Sequence, residues 1–145
     1  MTITAAAALG VAVALAAGAA QAQQGEFAGM FSFQTGDMLD GPRVQILSGD
    51  ALADLQDDGS YRVRLLATDF LQNADGTSSR VHAIQLCTGK PEGEEMLITC
   101  QVLNSTVTNY IPDSFRLRQV PDTPAFWRGT LESAGSVSVE FIDQD

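Results

Sequence analysis

The chain has 145 residues, 45% of them hydrophobic, and its 18 Asp and Glu outweigh 8 Lys and Arg to give a formal net charge of −10. That length suits one domain with one core. Such acidity repels phosphate backbones and anionic bilayers, which argues against nucleic acid as a partner and against stable membrane association of the mature chain.

Residues 4–20 are almost wholly Ala, Val, Leu and Gly, and Ala20-Gln21-Ala22 fits the small-x-small rule of signal peptidase. Residues 1–22 therefore read as a cleaved secretory signal and 23–145 as a single β domain. A Lys or Arg ahead of the apolar run is missing, which a misassigned start codon explains. The competing reading is a membrane anchor, since the run is near the length that spans a bilayer. Alanine contributes little to insertion, however, and the cleavage motif is well placed. No Cys stands at the cleavage point, so a lipoprotein anchor is not expected there. The Ala-rich leader suits a GC-rich bacterium, and hence a periplasmic or secreted protein.

No segment of the remainder keeps a helical period. Short apolar runs alternate with turn clusters, as in an antiparallel β-sandwich or small β-barrel of about seven to nine strands. Phe27 to Thr35 reads as a first strand with Phe27, Gly29, Phe31 and Phe33 on one side. Val44–Leu47 reads as a short strand, and Asp50–Leu55 as a helical turn or edge strand. Tyr61–Phe70 is a long strand with Tyr61, Val63, Leu65 and Ala67 on one face and Arg62, Arg64 and Leu66 on the other. Asp75-Gly76 predicts a two-residue hairpin turn. Leu65 would then face Leu86, Ala67 would face Ile84, and Asp69 would face His82.

Arg80 to Asn104 holds both cysteines and the only histidine. Setting Cys87 opposite Cys100 pairs Leu86 with Gln101, Gln85 with Val102 and Ile84 with Leu103. Cross-strand spacing overlaps the span of a disulfide. A two-residue Gly93-Glu94 turn would set Glu92 against Glu95, an unfavourable like-charge pair, so a four-residue loop from Glu92 to Glu95 is expected. Together the two registers turn Leu65, Ala67, Ile84, Leu86 and Leu103 to the core and the disulfide outward, unless a bulge flips them. Val107–Ile111 is expected to continue the strand past a bend. Ser114–Val120 follows, with Arg116 and Arg118 on one face. In the last hairpin, Ser133-Ala134-Gly135 forms the loop, with Gly left-handed. Trp127 then faces Phe141, Gly129 faces Val139 and Leu131 faces Val137, while Arg128 faces Glu140. Gly129 would leave room for its neighbours.

Catalytic signatures are weak. His82 could meet Asp69, but no nucleophile context completes a triad. The acids Asp57, Asp58, Glu92, Glu94 and Glu95 fall in turns, where they lack the burial that raises a carboxylate pKa. Asp54, Gln56, Asp58 and Gly59 imitate the start of an EF-hand loop, but the twelfth position is Leu65 rather than Glu. A looser cation site from Asp54, Asp57 and Asp58 is the residual idea. One histidine and no CxxC make a zinc site or redox pair improbable, so no metal and no cofactor are expected. Asn104-Ser105-Thr106, formally a glycosylation sequon, reads as a polar strand end. Phe27, Phe31, Phe33, Trp127 and Phe141 read as core.

Arg62, Arg64, Arg116 and Arg118 are the candidate binding residues, either paired internally or docking a carboxylate-bearing partner or glycan. A shared basic stripe would need their two strands to be adjacent. The expected function is a non-enzymatic periplasmic accessory module acting through a protein partner, such as a subunit of an envelope complex or a hydrolase inhibitor. A small-ligand or lipid carrier with a barrel cavity is the alternative. An enzyme would require a buried titratable cluster with shifted pKa values, and none is expected.

Overall fold

The computed structural model describes residues 27–144; the expected signal and its cleavage point lie outside them. Period-two alternation of apolar and polar residues sets the strands: β1 (Gly29–Thr35), β2 (Met38–Asp40), β3 (Arg43–Leu55), β4 (Tyr61–Gln72), β5 (Ser78–Glu92), β6 (Glu95–Ser105), β7 (Ser114–Val120), β8 (Thr123–Leu131) and β9 (Val137–Asp143). Strands β3 to β9 pair antiparallel in chain order. Strand β1 pairs with β3 on one side and β9 on the other, which closes eight strands into a barrel. The short β2 extends the β3 edge as an extra strand. Of the two expected architectures, the barrel is the one formed.

Closure depends on β3 being one long strand rather than two short pieces. Its first residues pair with β2 and its later ones with β1, while all of it lines β4. Gly49 sits at the changeover, where an added Cβ would lie 1.8 Å from the Leu66 carbonyl oxygen. Only glycine admits that approach.

The interior is packed with side chains. Phe31, Tyr61, Val63, Leu65, Leu117 and Phe141 have no exposed surface. Burying each such apolar side chain stabilises by roughly 1.5–3 kcal/mol. Phe27 stacks on Phe31 at 4.8 Å, Phe33 stacks on Phe141 at 5.0 Å, and Phe115 meets Phe141 edge-on at 5.2 Å. Trp127 is also buried. The five aromatic residues expected in the core are all there.

The last hairpin has the expected register, with Trp127 opposite Phe141 and Arg128 opposite Glu140. Gly135 closes it in the left-handed region at φ 72° after a 3-10 turn, Glu132–Ala134. Gly129 has a sharper reason than room for its neighbours. A Cβ there would stand 1.8 Å from the Arg116 carbonyl oxygen on β7.

The β4–β5 register departs from expectation by one residue. Leu65 faces Gln85, Ala67 faces Ala83 and Thr68 faces His82. The cause is the turn. Asn73 N donates to Thr77 O at 2.8 Å and Gly76 N to Asn73 O at 3.1 Å, with Gly76 at φ 84°. This is a type I turn followed by a left-handed bulge residue, one residue longer than a two-residue turn. The Asp75 carboxylate secures it by accepting from Thr77 N at 2.9 Å and Thr77 Oγ1 at 2.6 Å. Residues 56–60 repeat the design, with Asp58 accepting from Ser60 N and Oγ and Gly59 left-handed.

This shift reverses the predicted faces of β5 and β6, while Leu65 and Ala67 of β4 stay in the core as expected. Ala83, Gln85 and Cys87 point inward, whereas Ile84, Leu86 and Leu103 are exposed. The Cys87–Cys100 disulfide forms as expected but on the inner side, with Cys87 only 2% exposed. The β5–β6 ladder keeps Leu86 with Gln101 and Gln85 with Val102, then slips, so Ile84 faces Asn104 and Leu103 bulges out. Its turn is the two-residue Gly93-Glu94 type after all, with Glu92 opposite Glu95. Gly93 at φ 62° supplies the backbone geometry, and the like-charge pair is eased because the half-buried Glu95 pairs with Arg116 at 3.1 Å while Glu92 stays in solvent.

Candidate functional site: the outer wall and the barrel mouth

Two regions carry unexplained chemistry. The first is the outer wall of β3–β6. Leu66 pairs directly with Ile84, and Arg64 lies between Leu52 and Leu86 across the same strands. Leu66, Ile84, Leu86 and Leu103 are 52%, 45%, 37% and 63% exposed, so an apolar patch faces solvent where a barrel wall is normally polar. At its edge the bulge opens a groove of about 270 Å³ lined by Leu66, His82, Ile84 and Asn104.

Arg62 and Arg64 project from this wall, and neither makes an ion pair among the described residues. Arg116 and Arg118 lie on β7, separated from β4 by the two strands β5 and β6. Arg116 is held by Glu95 and Glu132, each at 3.1 Å, and Arg118 by Glu94 at 3.4 Å. The four arginines thus form no common stripe. One pair is internally neutralised and the other is not.

His82 is also on the outer wall. Its Nδ1 lies 3.0 Å from Thr68 Oγ1, and its backbone N donates to Thr106 Oγ1 at 3.0 Å. Asp69, the partner expected for it, points instead to the inner side. The expected His–Asp pairing is therefore absent, and the sequon threonine serves as a strand-end acceptor. Among the described residues no group of three or more His, Cys, Asp or Glu is placed to hold a metal ion.

The second region is the barrel end bounded by the β2–β3, β4–β5, β6–β7 and β8–β9 connections. Val107–Ile111, expected as a strand, is irregular. It is part of a strap, residues 106–113, that crosses this end. Its anchor is Asp113, 7% exposed, against Gln85, fully buried inside the wall. Gln85 Nε2 donates to Asp113 Oδ2 at 2.7 Å, and Asp113 N donates to Gln85 Oε1 at 2.9 Å. Tyr110 donates its hydroxyl to the same Oδ2 at 2.8 Å. Gln85, which breaks the apolar alternation of β5, is thereby bonded through both its amide nitrogen and its amide oxygen.

Beneath the strap is a cavity of about 280 Å³ lined by Gln45, Leu47, Asp69, Tyr110, Asp113 and Leu131 among others. Asp69 accepts from Gln45 Nε2 at 2.7 Å. Burial raises the pKa of both Asp69 and Asp113 above the ordinary carboxylate value. Burial, and then the Asp113 charge, raise the Tyr110 pKa too, so its hydroxyl stays a donor. A titratable cluster with shifted pKa values thus exists where none was expected. The signal that could have located it is the polar pair Gln85 and Asp113 beside apolar strand residues.

No protein family, curated protein or solved structure matches the chain. The disulfide is compatible with an extracellular or periplasmic location. Among the described residues no helix is long and apolar enough to cross a membrane.

Proposed function

We propose that the protein is an exported, non-enzymatic binding module that works through a protein partner in the cell envelope, docked on the outer wall of β3–β6. The observation that carries this reading is the apolar patch of Leu66, Ile84, Leu86 and Leu103 beside the unpaired Arg62 and Arg64. Apolar area of this kind drives association, and the two cations select a partner surface that is apolar with an acidic rim. The opposite wall differs in kind. There Arg128 pairs with Glu140 at 3.2 Å, and Arg116 and Arg118 are neutralised by glutamates. A barrel immersed in lipid needs an apolar band all round, so one-sidedness favours a protein partner. The packed aromatic interior weighs against a carrier with its ligand on the barrel axis.

The test is site-specific photocrosslinking in cells that export the full chain. A crosslinker at Leu86 should capture one protein species, and a crosslinker at Glu140 should not. Changing Ile84 and Leu66 to Ser should cut the yield by about tenfold, and changing Arg62 and Arg64 to Ser should weaken it further. Equal capture from both walls, or capture indifferent to these substitutions, overturns the proposal.

A further inference from the structure

The barrel mouth offers a second site, independent of the outer wall. We propose that it binds a small organic cation, an ammonium group on a compact apolar body, with the ammonium held between Asp69 and Asp113 and the body against Leu47, Val81 and Leu131.

The charge balance of the cavity points this way. Asp69 and Asp113 both line it, and no Lys, Arg or His does. Every hydrogen bond the two side chains receive comes from a neutral donor: Gln45 for Asp69, and Gln85 and Tyr110 for Asp113. Among the described residues, Arg116, Arg118 and Arg128 make their ion pairs elsewhere. A buried carboxylate, Asp113, beside a half-buried one, Asp69, without a counter-ion is costly unless a cation joins them.

The second observation concerns single atoms. Asp113 is 7% exposed. Both donors to its side chain reach Oδ2, and among the described residues none reaches Oδ1. Oδ1 is also not among the buried atoms that lack both a partner and exposed surface. It therefore opens on the cavity that Asp113 lines, as an acceptor on an otherwise enclosed side chain. Asp69 likewise receives its one donor at Oδ1, which leaves Oδ2 for a ligand.

The rest of the lining chooses among cations. A hard divalent ion takes six or more oxygens, whereas much of this cavity is apolar. An ammonium donates three hydrogen bonds and tolerates an apolar body beside it. A volume of about 280 Å³ lies at the small end of ligand pockets, roughly 300–1,000 Å³.

Binding should weaken on acidification. The groups facing the site are Asp69 from β4 and Tyr110 and Asp113 from the strap; β3 and β5 contribute neutral Gln45 and Gln85, and β8 contributes Leu131. Burial makes both acids take up protons at higher pH than a free carboxylate, and a protonated acid no longer attracts a cation.

The probe is 2-phenylethylammonium, with 2-phenylethanol as its neutral counterpart, titrated into the full disulfide-bonded protein at pH 7.5 and followed by NMR. Saturable shifts at Leu47, Val81 and Leu131 are expected for the amine, with the alcohol weaker by about ten- to hundredfold, the range of a charge-assisted hydrogen bond. Asp113→Asn should reduce amine affinity but also loosens the strap. Asp69→Asn, which leaves the Gln85–Asp113 anchor intact, should reduce it by at least about tenfold. Equal binding of amine and alcohol, an unchanged affinity in Asp69→Asn, or no binding of the amine overturns the proposal.

Discussion

Gln85 and Asp113 illustrate how a polar residue earns a place inside a wall of apolar ones. Each satisfies the other, and Tyr110 adds a third bond. Gln85→Leu would leave Asp113 with two bonds fewer and its buried backbone N–H without an acceptor, a loss of about 1–3 kcal/mol, measurable by urea unfolding. Asp69 behaves differently. Its pKa is raised, so between the unfolded and folded values the native state holds more protons than the unfolded chain, and stability falls as pH rises through that window. Asp69→Asn removes this loss and should melt above the wild type at neutral pH. The two should converge below the ordinary carboxylate value of 3.8. A wild-type advantage at neutral pH would contradict the burial argument. Gly129 is constrained by space alone. Gly129→Ala drives a methyl group into the Arg116 carbonyl and should cost about 1–3 kcal/mol as overpacking, seen as a lower urea midpoint.

At the scale of elements, hairpins were legible where a slip would have been expensive. The β8–β9 register was readable because Trp127, Leu131, Val137, Val139 and Phe141 fall on one face and the Arg128–Glu140 pair on the other. The Cys87–Cys100 pairing fixed the neighbouring ladder correctly through Gln85 and Val102. The β4–β5 register was not legible, because either alignment mixes polar and apolar residues on each face. The choice lies in Asp75 and Thr77 side-chain bonds that convert an apparent two-residue turn into a longer one. The strap was illegible for another reason. Its anchor joins residues 28 positions apart, and no local pattern marks such a meeting. Most of the outer patch was hidden by the same register: Ile84, Leu86 and Leu103 read as core, and only Leu66 read as facing outward beside Arg62 and Arg64. The disulfide closes a short loop that the hairpin already closes. Its reduction should lower stability by up to about 3 kcal/mol without unfolding the domain. Two free thiols titrated in the unreduced protein would refute the bridge.

For the molecule as a whole, the all-β class and the disulfide were foreseeable from strand spacing and cysteine placement, whereas closure into a barrel rather than a sandwich was not. Closure is decided by β1 bridging β3 and β9, a contact between the two ends of the described chain. The ladders are very unequal. That between β4 and β5 runs unbroken from Tyr61↔Gly89 to Gln72↔Ser78. The β6–β7 ladder stops at Thr99↔Ser114, and the β1–β9 ladder spans only Phe31↔Asp143 to Thr35↔Val139. Those two short seams bound the three-strand meander β7–β9, while the disulfide lies outside it in the long-stranded part. The consequence is a hierarchy of opening. The meander should detach as a cooperative unit at lower free energy than global unfolding. Native-state hydrogen exchange would then show β7, β8 and β9 amides sharing one exchange isotherm below that of β3–β5. A single isotherm across all strands would mean that the barrel opens only as a whole.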